Sequence, residues 1–338
     1  MKKYSILMLM SKYHAVSGHT RVVDSISKEL VNLGHKVTLG SFHFEKEPPN
    51  GIIKLQLKKS NIKRKINEGE FDIIHNHQTL MNYHLLFLKK PIIFHYHGAS
   101  NTLQKINLKF CSIICKNSIS KIISISESAM DEIQKYFPNT SNSVIYNGVD
   151  SNFYIQNEKK RKSNDLQLLF VGNLFEYKNV QLLIREFPKM KKQFPNLFLK
   201  IIGDGEYKKQ LSELIVENDL QKNIELVGRV DDEELREHFS SSDLYITAST
   251  WEFFNLPLLE AMSCGKPIIV SNLPVHQELV SKSNGGEVFS LDGNNLVEKI
   301  EIVMKNYDKY SKNARDFALE NDWSAITKKV LRVYEELI

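Results

Sequence analysis

Along most of the chain, short apolar runs alternate with longer stretches in which apolar residues return every three or four positions. The run "YSILMLM" reads as a buried strand, and Val22, Val23, Ile26, Leu30 and Val31 then recur on a helical period that Gly34 ends. "KVTLGSF", "FDIIHNH", "PIIFHYH" and "KIISIS" are further strand-like runs, "ESAMDEIQKYF" a further helix, and "NSVIYNG" closes the half. Residues 150–165, "DSNFYIQNEKKRKSND", are polar and charged and read as a linker. The alternation then restarts, with "LQLLFVG", "LFLKIIG", "NIELVG", "DLYITAS" and "KPIIVS" as strands between helical stretches, and from about residue 293 it becomes helical without strands. Strands alternating with helices predict parallel, doubly wound α/β sheets. The expectation is two Rossmann-like domains facing each other across a cleft, over residues 1–150 and 165–320, with a C-terminal helix over 321–338 packing back on the first. In such sheets ligands bind beyond the carboxyl ends of the strands.

Composition changes this picture little. The 338 residues are 42% hydrophobic and 25% charged, an ordinary soluble balance that affords two cores. No apolar stretch approaches the ~18 residues of a membrane helix. The first residues lack the small-residue cleavage site of a signal peptide, so the expected location is cytoplasmic. Three cysteines, Cys111, Cys115 and Cys264, are too few for a disulfide framework and read as buried thiols. Charge is uneven: residues 1–150 carry 20 Lys and Arg against 11 Asp and Glu, and the remainder carries 25 against 29. A basic first half suits an anionic partner such as a membrane surface. No stretch interleaves aromatics with Lys and Arg, so nucleic acid is not expected.

The densest chemistry lies in "TWEFFNLPLLEAMSCGKPIIV", residues 250–270. Pro257 suits a helix start and Gly265-Lys266-Pro267 a stop, predicting a short helix over 257–264. Its leading amides, from Asn255 to Leu258, offer an anion site. Glu252 and Glu260 cannot themselves ligate that anion, so they accept hydrogen bonds from neutral groups on either side of it. A sugar hydroxyl and a ribose diol flanking a diphosphate satisfy both, which describes a nucleotide sugar.

These residues resemble the Glu–seven residues–Glu signature of the retaining glycosyltransferases of family four, which have the GT-B fold. "FVGNLFEYKNVQLLI", "IIGDGEYKKQL", "IELVGRVDDEEL", "DLYITAS" and "VIYNGVD" match other segments of that family in the same order. The resemblance implies that Glu252 contacts the donor sugar and that Glu260 holds the ribose hydroxyls. It implies that the amides from Phe254 to Leu256 hold the distal phosphate and that Lys178 neutralises the diphosphate. Gly172 and Gly18 allow close backbone approach, and His97 lies beside the transferred sugar. It further implies front-face displacement with retention, without metal or other cofactor. The sequence departs from the pattern in having Phe253-Phe254-Asn255 where Gly-Phe-Gly is common, and Asn173 where an Arg is common.

His75-Asn76-His77 and His95-Tyr96-His97 each put two imidazoles on one face of a strand end. A metal site is one reading of them, but no Cys or carboxylate completes the set and none is expected; His77 and His97 match family positions near the cleft. The acceptor side falls to residues 1–150. There Ile62 and Ile66 flank Lys63, Arg64 and Lys65, a pattern for a basic amphipathic helix resting on an anionic membrane and bringing a lipid-linked sugar or glycan to the cleft. The protein would then be peripheral on the inner face of the cell membrane. Alternatives on the same fold are a sugar-nucleotide epimerase or phosphorylase, which would not need a hydroxyl acceptor to consume donor, and a non-catalytic basic membrane scaffold. A dehydrogenase lacks support, because no Gly-x-Gly-x-x-Gly follows the first strand.

Overall fold

The structure, a computed structural model, describes residues 2–15, 17–155 and 165–338. The chain divides into two compact units, Met1–Gly148 with Trp323–Ile338, and Val149–Asp322.

In the first unit seven strands form one parallel sheet: β1 (Ser5–Tyr13), β2 (Lys36–Phe44), β3 (Ile53–Gln56), β4 (Ile73–Asn76), β5 (Ile92–Tyr96), β6 (Lys121–Ser124) and β7 (Asn142–Val144). Their order is β3-β2-β1-β4-β5-β6-β7. β1 is central, and its near-continuous apolar run is what a strand covered on both faces requires. Helix Gly18–Asn32 follows it, with Ser17 accepting from the Thr20 amide at 3.0 Å as N-cap. Helix Trp323–Glu335 packs on that helix and buries Ile326, Val330 and Tyr334.

Helix Ile62–Glu68 forms, but not as an outward-facing amphipathic element. Ile62 and Ile66 are buried in a core cluster with Leu57, Phe71, Ile74 and Met81. Its apolar side is spent on the sheet, so the expectation that these isoleucines meet a membrane is corrected. A helix without a counterpart among the expected elements, Thr102–Cys115, lies between β5 and β6 and packs against a 3₁₀ segment, Thr79–Leu85.

The second unit has a six-stranded parallel sheet: β8 (Asp165–Val171), β9 (Asn196–Ile202), β10 (Ile224–Gly228), β11 (Leu244–Thr247), β12 (Ile268–Ser271) and β13 (Gly286–Phe289), ordered β10-β9-β8-β11-β12-β13. Strand order reverses between β8 and β11, so the loops leaving them diverge and open a crevice at their carboxyl ends. Leu168, Phe170, Leu199, Ile201 and Ile246 fill the core against helix Val180–Gln193. Gly203 is required where β9 ends: a Cβ there would lie 1.9 Å from the Gly172 carbonyl oxygen, at φ +136°. After β13 come helices Leu296–Lys305 and Tyr307–Glu320.

Of the expected linker, residues 156–164 lie outside the described residues. The part before them is tied down: Val149 donates to Asn321 O at 3.1 Å, Ser151 Oγ to Asp322 Oδ2 at 2.7 Å, and Ser263 Oγ to Tyr154 O at 2.7 Å. Among the described residues no helix is long and apolar enough to cross a membrane. Cys111, Cys115 and Cys264 are buried free thiols.

Candidate functional site

The switch point of the second sheet gathers most of the residues singled out in that unit. From β8 the chain runs through Gly172 and exposed Asn173 into a 3₁₀ turn, Glu176–Lys178. Asn179 takes a left-handed φ of 53°, which Asn tolerates better than most residues, and turns the chain into helix Val180–Gln193. Lys178 is thereby held at the turn. A Cβ on Gly172 would meet nothing closer than Phe170 at 3.4 Å, and Lys178 Cε would be 3.9 Å from it. The protein's own packing leaves that position open.

From β11 the chain continues through Ser249 to Glu252. Lys178 Nζ donates to Glu252 Oε1, and both side chains are largely covered. Ser249 Oγ donates to the same Oε1 at 3.1 Å. Thr250 ties the two loops, its amide donating to Tyr177 O at 2.8 Å, while Trp251 stands edge-on to Tyr177 at 5.7 Å. Charge and counter-charge thus sit together at the open end of the crevice.

The helix foreseen over 257–264 spans Leu256–Ser263. Gly265 (φ 68°) ends it in a double back-bond, its own amide reaching Met262 O and that of Lys266 reaching Ala261 O, each at 2.9 Å. At the other end Leu258 N–H reaches Asn255 O at 3.2 Å, and among the described residues no backbone carbonyl takes the amides of Asn255 or Leu256. Asn255 has φ −123°, so the replacement of a usual glycine asks nothing unusual of the backbone. Its buried side chain is used instead: Nδ2 donates to Tyr245 Oη at 3.2 Å, and Tyr245 donates to Val171 O at 3.4 Å. This links the helix start to β8 and β11. Glu260 is buried on the same helix. Burial raises the Tyr245 phenol far above its ordinary value, and the carboxylates of Glu252 and Glu260 add to the rise, so both act on this one ring.

His276 was not among the candidate residues. It is fully buried on helix Pro274–Ser283, and its Nδ1 donates to Ser271 O at 2.9 Å, which leaves the lone pair on Nε2. That Nε2 has no hydrogen-bond partner among the described residues. Burial lowers its pKa, while Glu252 raises it and Lys178 lowers it. Ser271 Oγ donates to Ser249 O at 2.6 Å, which connects His276 to the loop carrying Glu252. A lone His two residues after a Pro gives no sequence signal; only β12 ending beside β11 brings it there.

In the first unit the two His pairs interleave. His75 Nε2 and His95 Nδ1 are 3.1 Å apart, as are His77 Nδ1 and His97 Nε2, and Tyr334 Oη lies 2.6 Å from His75 Nδ1. His19, next to Gly18 at the start of its helix, places its ring 4.6 Å from that of His97. The fold therefore brings Gly18, His77 and His97 together. Burial holds His75 and His77 well below the usual imidazole range and pushes His95 down to about 3. One ring nitrogen from each of His75, His77 and His95 lies within 4.8 Å of the others, a set able to hold a transition-metal ion. Lys63, Arg64 and Lys65 stand apart from this group: Lys63 sits over the Phe87 ring, Arg64 faces Glu68, and Lys65 donates to Gln56 O.

Two family models match the chain, Glycosyltransferase Family 4 over residues 16–153 and Glycosyl transferases group 1 over residues 152–318. The chain is 28% identical to an uncharacterized glycosyltransferase of Methanocaldococcus jannaschii, over 98% of both chains. It is 25% identical to a phosphatidyl-myo-inositol mannosyltransferase of Propionibacterium freudenreichii, over 81% of this chain and 72% of that one. In fold it is similar to HepE of Anabaena, solved in complex with UDP, with a TM-score of 0.81 at 18% identity over 98% of this chain and 100% of that one. Such solved neighbours share the GT-B fold.

Proposed function

We propose that this chain, matched by the models of Glycosyl transferases group 1 and Glycosyltransferase Family 4, is a glycosyltransferase that moves a hexosyl group from a nucleoside-diphosphate sugar to the hydroxyl of a glycan or lipid-linked acceptor. The transfer retains configuration and uses no metal. The observation that carries this reading is the Lys178–Glu252 pair at the carboxyl ends of β8 and β11. An ammonium suited to a diphosphate and a carboxylate suited to a sugar hydroxyl stand side by side.

Each residue then has a task. Lys178 has three N–H donors and gives one to Glu252, so others remain for the leaving diphosphate. Glu252 receives Lys178 and Ser249 on Oε1, and Oε2 is the oxygen a donor hydroxyl meets. The amides of Asn255 and Leu256, with the helix dipole behind them, take the distal phosphate. Glu260 accepts from the ribose diol. Gly172 and Asn173 border the diphosphate from β8, and Gly18 and His97 belong to the acceptor-bearing unit. The acceptor oxygen bonds to the anomeric carbon on the face from which the phosphate oxygen departs, and that oxygen takes the acceptor's proton. Catalysis is then positioning and charge stabilisation, each donor contributing about 2–4 kcal/mol in the transition state.

The mannosyltransferase among the relatives and the UDP complex among the fold neighbours favour a hexose on a nucleoside diphosphate. The basic first half favours an acceptor presented at an anionic membrane on its cytoplasmic side. A thermal-shift panel of nucleoside diphosphates and nucleotide sugars tests the donor half. One diphosphate series should stabilise the protein, and no response to any would overturn the reading. Anomeric configuration of the product, read by NMR, tests retention.

A further inference from the structure

Helix Thr102–Cys115 is apolar on two sides. Leu108, Cys111 and Cys115 face inward and are buried. Leu103, Ile106, Phe110, Ile113 and Ile114 lie on the other side, between 47% and 68% exposed. Their spacing puts them on a single stripe roughly 100° wide, the geometry of a buried helix face. The 3₁₀ segment that packs on this helix leads into Phe87, which is 89% exposed and holds a left-handed φ of 68°. A phenyl side chain in that region costs the backbone energy. The fold bears that strain to hold an aromatic ring in water. Exposed apolar residues of the second unit, such as Phe198 and Val216, lie singly on separate elements and need no explanation.

Charge decides what covers the stripe. Lys105, Lys109 and Lys116 line one edge of it, and the helix has no acidic residue. Lys105 lies 3.8 Å from Glu132; Lys63 sits 5.4 Å from the Phe87 centroid, and Lys89 follows nearby in the chain. A second copy docking antiparallel, by a two-fold axis across the helices, would set lysine edge against lysine edge. An anionic bilayer offers hydrocarbon to the stripe and headgroup charge to its edge.

We propose that the outer face of helix Thr102–Cys115, with Phe87, is the surface by which this chain seats on an anionic lipid membrane. It deepens the reading of a membrane-presented acceptor by naming the surface, yet it stands on these side chains and not on the donor site. It also moves the contact away from Ile62 and Ile66, which the core has taken.

Flotation of the full chain with vesicles of phosphatidylcholine containing about one-third phosphatidylglycerol tests it. Wild type should float with these vesicles at low salt and far less with pure phosphatidylcholine. Replacing Phe110 and Ile113 together by Ser should weaken partitioning about a hundredfold. Each of Lys105→Gln, Lys109→Gln and Lys116→Gln should weaken it about fivefold. Phe198→Ser should change nothing, and nucleoside-diphosphate thermal shifts should persist in every variant, which separates this surface from the donor site. Phe110→Trp keeps the surface apolar, and the emission this substitution adds should shift to the blue when anionic vesicles are added. Absence of flotation by wild type, serine or glutamine variants of the helix that float as wild type does, or an emission from the Phe110→Trp variant that vesicles leave unshifted would each overturn the proposal. So would a dimer in sedimentation analysis that dissociates with the same substitutions.

Discussion

Lowering the pH from 6.5 to 5.5 should destabilise the first unit steeply, and the size follows from three side chains. His75, His77 and His95 are essentially inaccessible to water, and burial keeps each imidazole neutral far below its ordinary titration range. Unfolded, each would titrate near 6.5. Below that pH the unfolded chain binds protons the native unit refuses, so unfolding free energy falls as pH falls. The stability is fully present above about pH 6.5 and is lost progressively down to the native values, about 3 for His95. Between pH 6.5 and 5.5 each such histidine costs about 1 kcal/mol, and the three together about 3 kcal/mol. Half-buried His97 is left out of that sum. Unfolded carboxylates titrate nearer pH 4, outside the window, whereas His19, His35 and His84 of the same unit are also held below the usual range by burial and add to the fall, so about 3 kcal/mol is its lower bound. Trp251→Phe leaves Trp323, on the helix that packs in the first unit, as the fluorescent reporter. Urea titrations of that variant at pH 7.5, 6.5 and 5.5, with chelator present so that only protons are titrated, give the free energies. A fall below about 1 kcal/mol would refute the reasoning. So would an unchanged fall in a chain carrying His77→Gln and His95→Gln.

Lys178→Ala should lower kcat by about a hundredfold to a thousandfold with a smaller effect on donor affinity, read by steady-state kinetics. It also leaves Glu252 covered and unmatched, so melting temperature should fall, and Lys178→Met with Glu252→Gln should recover most of that fall. Glu252→Ala should abolish transfer while circular dichroism stays native. Chelator should leave the transfer rate unchanged, since Lys178 supplies the charge; a loss restored by added metal would contradict the proposed chemistry. Gly203→Ala should prevent stable folding or cost several kcal/mol, because its Cβ would overlap the Gly172 carbonyl; a soluble, native-like variant in urea titration would count against that geometry.

Most strands of both sheets were legible because each is a short apolar run bounded by polar turns, and the site helix because Pro257 and Gly265 mark its ends within a residue. The edge strands Ile53–Gln56 and Gly286–Phe289 escaped, because a strand at the border of a sheet is only partly covered and mixes polar with apolar residues. Helix Thr102–Cys115 escaped for a physical reason. Apolar on its inner and outer sides, it has little of the polar–apolar period by which helices announce themselves. Ile62 and Ile66 show the reverse case: their spacing gave the helix, but a period says only that one face is apolar, not whether core or surroundings receives it. Lys178 and Glu252 stand 74 positions apart and meet only because β8 and β11 are neighbours. The same holds for the imidazole ladder, which needs β4 beside β5 and Tyr334 beneath.

The closing helix of the first unit, Trp323–Glu335, has a consequence for biosynthesis. Residues through Gly148 leave the ribosome long before it does, while the whole second unit is still to be made. Until it arrives, the nascent first unit lacks the tyrosine that caps His75 and the cover for helix Gly18–Asn32. Translation order and folding order are thus inverted: the unit begun first is completed last, and the second can close around its own sheet while its predecessor waits.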